Sequence, residues 1–148
     1  METLLKVQDT NIICAPAISQ HAALACLEAG IEWCRPRIEG FAPNRELLLD
    51  ALAGLGDRVE ASPANGAFYV FIRVGGGRPL DDMAVVRELI NEHGVAVVPG
   101  SAFGVEAGCS LRLSYAAVDR DTMAVGARRL VDGLRAITDR KAGRRTGT

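Results

Sequence analysis

Lysine is almost missing from this sequence. Of its 17 basic residues only Lys6 and Lys141 are lysines, and the rest are arginines. Any chemistry that needs a nucleophilic amine is therefore confined to two positions. Aromatics make up 5% of the chain and histidine occurs twice, as His21 and His93, with no acid–base companion visible in the sequence for either. Neither sign of charge dominates: 17 basic residues against 18 acidic ones leave a net charge of −1, which gives no overall pull toward nucleic acid or an anionic membrane. The four cysteines, Cys14, Cys26, Cys34 and Cys109, lack C-x-x-C spacing and paired histidines. That argues against a disulfide frame and against a metal site, and predicts small buried thiols in a reducing compartment. No apolar run reaches membrane-spanning length, and the N-terminus lacks the basic-then-apolar layout of a signal peptide. A cytoplasmic protein with no membrane contact is expected. Gly75 to Gly77 do not form a phosphate-binding G-x-G-x-x-G and read as a connection.

What is present suits a globular fold. At 148 residues and 49% apolar, the chain can bury a single substantial core. "PAISQHAALACLEAG" has apolar residues at helical spacing, proline at its start and glycine just past its end, which predicts a helix over 17–29. "NRELLLDALAGLG" predicts a second helix with Leu48, Ala51, Leu52 and Leu55 on one stripe. Between them "IEWCRPRIEGFAP" has helical composition, but Pro36, Gly40 and Pro43 are expected to kink or break it. "VEASPANGAFYVFIRV" reads as a short strand, a turn over 63–66 and a β-rich strand from Ala67 to Val74. Residues 81–93 predict a helix with Met83, Val86, Leu89 and Ile90 inward, stopped by Gly94. His93, in its last turn, is then a partner for the helix dipole. "VAVVPG" reads as a buried strand, "SAFGVEAG" as a loop, and Ser110–Ala116 as the last strand. A final helix begins after Asp119, a good N-cap, with Met123, Ala127, Leu130, Val131, Leu134 and Ile137 along one stripe. The fold class expected is α/β of the α+β kind: a small mixed or antiparallel sheet with helices packed on it. Residues 139–148 are basic and poor in apolar anchors, and read as a loose tail rather than a nucleic-acid arm.

"SLRLSYA", residues 110–116, raises the functional question. Side chains alternate across a strand, so Leu111, Leu113 and Tyr115 share one face while Ser110, Arg112, Ser114 and Ala116 share the other. The apolar face is core. The second face is small and polar with one fixed positive charge at its centre. Arg112 is either solvated at an edge, or seated in a pocket where it holds an anion.

Three stretches, "PANGAFYVF", "GVAVVPGSAFG" and "SLRLSYA", in this order and spacing resemble the C-terminal part of the class I/II pyridoxal-phosphate-dependent aminotransferases of fold type I. "NRELLLDAL" before the first and a closing helix after the last extend the resemblance from about Leu4 to Ile137. It implies that residues 1–30 are a helical remnant of the large cofactor domain's end, that 31–138 form the small C-terminal domain, and that 139–148 are the disordered tail. It implies further that Arg112 clamps the α-carboxylate of an amino-acid or 2-oxo-acid substrate. A guanidinium suits that task because its two parallel donors match the two carboxylate oxygens. Phe103, on the loop that lines the cleft in such enzymes, would pack against substrate; a core aromatic under a loop is the other reading. Gly66 would let the backbone approach the cleft, although a turn needing positive φ accounts for it equally well.

The same resemblance implies pyridoxal phosphate as cofactor and a homodimer as the working form, with "QDTNIICAPAISQ" near the neighbouring subunit's site. It also exposes a gap. The family's imine-forming lysine lies in a Ser-x-x-Lys-like stretch ahead of a Gly-x-Arg-x-Gly-like strand, and this sequence has neither. Lys6 falls where the family has the helix after that strand, and Lys141 falls in the tail. No catalytic residue is therefore assigned within the chain, which reads as though cut after the cofactor-bearing part. Helix 17–29 is expected to expose apolar surface and promote self-association. A different class stays open beside this one: a non-catalytic remnant, or a module that binds small molecules or a partner.

Overall fold

Strict alternation in two strands sets the architecture. The computed structural model describes residues 2–76 and 79–143. Its strands are β1 (Val59–Ala61), β2 (Tyr69–Val74), β3 (Val98–Pro99) and β4 (Cys109–Ser114). They form one antiparallel sheet in the order β1-β2-β4-β3. Val70, Ile72 and Val74 of β2 and Cys109, Leu111 and Leu113 of β4 are buried on one face. On that face lie α4 (Ala42–Ala53), α5 (Asp82–His93) and α6 (Arg120–Gly143), whose buried Leu48, Leu52, Leu89, Leu130 and Leu134 complete the core. On the opposite face of β2, Tyr69 and Arg73 are exposed and Phe71 is half-buried. A fold of the α+β class results, with these three helices on one side.

Residues 1–40 and 41–148 divide into two units. The family resemblance implies a division at 30/31 between the end of a larger domain and the small one. In the first unit α1 (Glu2–Asn11), α2 (Ala17–Ala29) and α3 (Ile31–Glu39) bury no residue. Gly30, at φ +73, separates α2 from α3. Pro36 was expected to kink or break this stretch, yet it lies inside α3. Only three helical residues follow it, so the hydrogen bond it cannot donate is lost in the final turn. The break comes at Gly40–Phe41, after which Pro43 occupies the first turn of α4, where its missing N–H is harmless. Ile18 and Leu27 are each 79% exposed, in line with the expectation that helix 17–29 exposes apolar surface. The thiols differ from expectation: Cys14 and Cys26 are exposed and Cys34 half-buried, leaving only Cys109 in the core.

In the second unit two elements depart from the sequence pattern. The buried stripe of α5 runs through Asp82, Val85, Val86 and Leu89, whereas Met83 and Ile90 are 41% and 46% exposed. Met83 and Ile90, two turns apart, lie on the flank of α5 away from Val85, with Val86 between that flank and the buried stripe. "VAVVPG" yields only a two-residue, half-buried strand, since Pro99 has no N–H for the ladder. The caps match expectation. Gly94 ends α5 in the left-handed region at φ +64, and its N–H and that of Val95 return to the Ile90 and Leu89 carbonyls. His93 does more than face the helix end: its ring packs against Gly133 of α6, where a Cβ would lie 2.9 Å from it. Helix α6 continues through 139–143, expected as tail, and Asp139 pairs with Arg58 at 2.9 Å. Residues 144–148 of the expected tail lie outside the described residues.

The phase of α5 gives a direct test. Leu89→Ala should lower the urea-unfolding free energy by about 3 kcal/mol, while Met83→Ala and Ile90→Ala should each change it by only about 0.5 kcal/mol. Equal losses at all three positions would contradict the phase. Asp119 supplies a second test. The Thr122 backbone N–H at 2.8 Å, then the Thr122 hydroxyl at 3.1 Å, hold its carboxyl below the usual aspartate range. A depressed folded-state pKa stabilises at neutral pH, and that contribution fades as pH falls through the folded value. Thermal stability should drop below the ordinary aspartate range, and Asp119→Asn should flatten that drop.

Candidate functional site

Arg112 lies on the open face of the sheet, on a central strand. The register sets Phe71 of β2 opposite it on one side and Val98 of β3 on the other. Tyr69 is its diagonal neighbour, since Tyr69 pairs with Ser114. The guanidinium carbon sits 4.2 Å from the Tyr69 ring centroid and 4.6 Å from that of Phe103. Among the described residues those two rings do not contact each other, so they flank the cation rather than stack as a pair. Phe103 also meets Phe71 edge-on at 6.5 Å. The result is a half-buried arginine flanked by two aromatic rings, with Phe71 paired opposite it on β2.

Among the described residues no oxygen accepts a hydrogen bond from Arg112 and no carboxylate pairs with it. Arg73, on the same face, faces Glu60 at 3.7 Å with both side chains exposed, and such a pair contributes little. A guanidinium carries five N–H donors in a planar fork. With aromatic rings against it and no internal acceptor, the fork can receive a planar oxyanion in two parallel hydrogen bonds.

Two contacts hold the turn that bears Phe103. Gly100–Phe103 form a single 3-10 turn ended by Gly104 at φ +77. Gly100 presses on β4: a Cβ there would lie 2.7 Å from the Ser110 Cβ, which explains why Ser110 is buried on an otherwise open face. The carboxylate of Asp82, at the start of α5, accepts the Ser101 backbone N–H at 2.8 Å and the Ser101 hydroxyl at 3.2 Å. Across the site the stretch before β2 is tied down from the core side. The Tyr115 hydroxyl donates to the Ala67 carbonyl at 2.7 Å, and the Tyr115 N–H donates to the Phe68 carbonyl at 3.1 Å. Asn44 on α4, also buried, donates to the Tyr115 and Val118 carbonyls at 3.2 and 3.0 Å.

The sequence-predicted residues do not all meet here. Arg112 and Phe103 are brought together; Phe103 is 48% exposed rather than a core aromatic. Gly66 stands apart in character. Its φ is not positive, whereas Ala64 and Ala67 beside it are at φ +49 and +59, and a Cβ at 66 would meet nothing within 4 Å. Neither turn geometry nor space within this chain requires glycine there. Lys6 is exposed on α1, 3.9 Å from Glu2, and the side chain of Lys141 lies outside the described residues. Glu88, Glu92 and His93 bring donor atoms within 4.8 Å of one another, but Glu88 is already engaged by Arg140. Tyr69, Asp82, Ser101 and Tyr115 were missed as site residues. Tyr69 and Tyr115 stand inside the quoted motifs, yet their contacts depend on strand register. The adjacent Asp81–Asp82 pair was the one local signal for Asp82, since a helix needs only one of them as N-cap.

Removing the Tyr115 hydroxyl tests this framework. Tyr115→Phe should cost about 1 kcal/mol in urea unfolding and increase amide exchange at Phe68 and Tyr69. Unchanged exchange there would show that the hydroxyl does not hold the loop.

With this geometry in place, likeness to known proteins can be set beside it. The family described as Aminotransferase class I and II matches residues 1–130. Aromatic aminotransferase ISS1 of Arabidopsis thaliana is 37% identical over 131 residues, which is 88% of this chain and 32% of that protein. The aromatic aminotransferase of Pyrococcus horikoshii superposes with a TM-score of 0.71 at 30% identity, covering 95% of this chain and 36% of that one. LysN, the α-aminoadipate aminotransferase of Thermus thermophilus, gives a TM-score of 0.74 at 25% identity, covering 93% and 36%. That structure holds N-(5'-phosphopyridoxyl)-L-leucine. The chain thus spans about a third of the length of the relatives it matches.

Proposed function

Because this chain belongs to the class I and II aminotransferase family, we propose that it is the substrate-side part of such an enzyme, with Arg112 as the anchor for the carboxylate of an amino acid or 2-oxo acid. One observation carries the reading: a half-buried guanidinium, framed by aromatic rings, that no described oxygen satisfies. A carboxylate held by two parallel hydrogen bonds is fixed in direction as well as position. Transfer of an amino group needs that control, because the bond to be broken at Cα must be oriented.

Pyridoxal phosphate supplies the electron-withdrawing chemistry of such enzymes when bound. The residues of this chain do not compose a site for it. That would take an amine able to form an imine, and the two lysines are an exposed one paired with Glu2 and one in the last turns of α6. The cofactor and its proton-transfer group would come from residues outside this chain, and the working form would be a homodimer. The exposed thiols of Cys14 and Cys26 fit a reducing cytoplasm, and no helix among the described residues is long and apolar enough to cross a membrane. A second reading, a carboxylate-binding module without catalysis, is favoured by one fact: every contact named around Arg112 lies within residues 41–143.

Two measurements test these readings. The purified chain, incubated with pyridoxal phosphate and an amino-acid donor, should release no 2-oxo acid; measurable release would place the amine chemistry in this chain after all. Titration with pyruvate, followed by NMR on the arginine side chains, should move the Arg112 signal, and Arg112→Lys should weaken binding by about tenfold through loss of the fork. An Arg112 signal indifferent to pyruvate would sink both readings.

A further inference from the structure

We propose that Asp82 and Phe103 are positioning residues for Arg112: Asp82 latches the 3-10 turn, and the turn holds the Phe103 ring against the guanidinium so that its N–H edge stays open. This rests on the reading of Arg112 as a carboxylate anchor.

The starting point is a pair of adjacent aspartates with different tasks. Asp81 is the N-cap of α5, and its carboxylate already accepts the Met83 and Ala84 backbone N–H groups at 2.9 and 3.2 Å. The helix needs no second cap from Asp82. Its side chain instead crosses to Ser101, nineteen residues on, and takes both the backbone N–H and the hydroxyl. Asp82 is 8% exposed. A carboxylate is costly to bury without partners, so the two charge-assisted donors and its place in the first turn of α5 are what make this location tolerable.

The latch has a short route to the cation. Phe103 is two residues beyond Ser101 in the same tight turn, and Gly100 seats that turn against Ser110, two residues before Arg112 on β4. Asp82 thus fixes the turn from the helix side and β4 fixes it from the sheet side. Nearly half the surface of Phe103 is open, and among the described residues its aromatic and cationic neighbours are Phe71 and Arg112. A free arginine side chain samples many rotamers. With Tyr69 and Phe103 against it, the guanidinium is confined, and a ligand meets a fork that is already formed.

The test needs no cofactor. In the isotope-labelled chain, assigned through its loss in Arg112→Lys, the Arg112 Nε–Hε signal should be displaced by the ring currents of Tyr69 and Phe103. Asp82→Ala and Phe103→Leu should each return it toward the free-arginine position and weaken pyruvate binding two- to fivefold. Asp82→Asn, which keeps one acceptor, should recover part of both. Asp81→Ala is the control: it should lower the melting temperature without moving the Arg112 signal. Should Asp82→Ala fail to fold, Ser101→Ala removes only the hydroxyl half of the latch and should give a smaller shift in the same direction. An Arg112 signal unmoved in folded Asp82→Ala, or moved equally by Asp81→Ala, would overturn the proposal. Pyruvate leaving the wild-type signal unmoved would instead overturn the anchor reading, while the ring-current result still judges the latch.

Discussion

The second unit depends on a sheet that is covered on one face only. Val70, Ile72, Val74, Leu111 and Leu113 reach the helix side and are sealed there by α4, α5 and α6. Because side chains alternate, the residues between them must point the other way. Tyr69, Phe71 and Arg112 are on the open face for that reason, and no local preference of their own is needed to put them there. Burial of one face thereby fixes the register, and the register fixes which side chains surround the arginine.

Charge and packing then cooperate. A lone guanidinium half out of water is destabilised unless something compensates for its lost hydration. Here aromatic faces offer partial compensation, yet they leave the N–H donors without an acceptor among the described residues. The proposed role of Arg112 as a carboxylate anchor rests on that imbalance. Arg58 with Asp139 and Arg140 with Glu88 show the contrast: both are cations held by carboxylates on the helix side of the fold.

Much of this unit was legible in advance. The stripes of α4 and α6, the Gly94 stop, the Asp119 cap and the alternation in β2 and β4 all follow from periods of 3.6 and 2. Arg112 could be singled out because it interrupts a run of small and apolar residues. Misjudgements arose where a residue's surroundings come from distant sequence. Met83 and Ile90 fit a helical stripe as well as Val85 and Leu89 do, and only the neighbours of α5 choose between the two faces. Gly66 carried a turn signal, but the positive φ values fall on Ala64 and Ala67, in a loop whose Ala67 carbonyl is held by the distant Tyr115 hydroxyl.

Residue order by itself determined helices α2, α4, α5 and α6, strands β2 and β4 with their core faces, the family, and the scarcity of lysine. These are local or compositional properties, and short-range sterics and burial enforce them. Tertiary structure alone decided that Tyr69 and Phe103, 34 positions apart, flank one guanidinium, and that Asp82 secures the turn between them. Such contacts form only when strands pair and a helix docks, so no period within the chain encodes them.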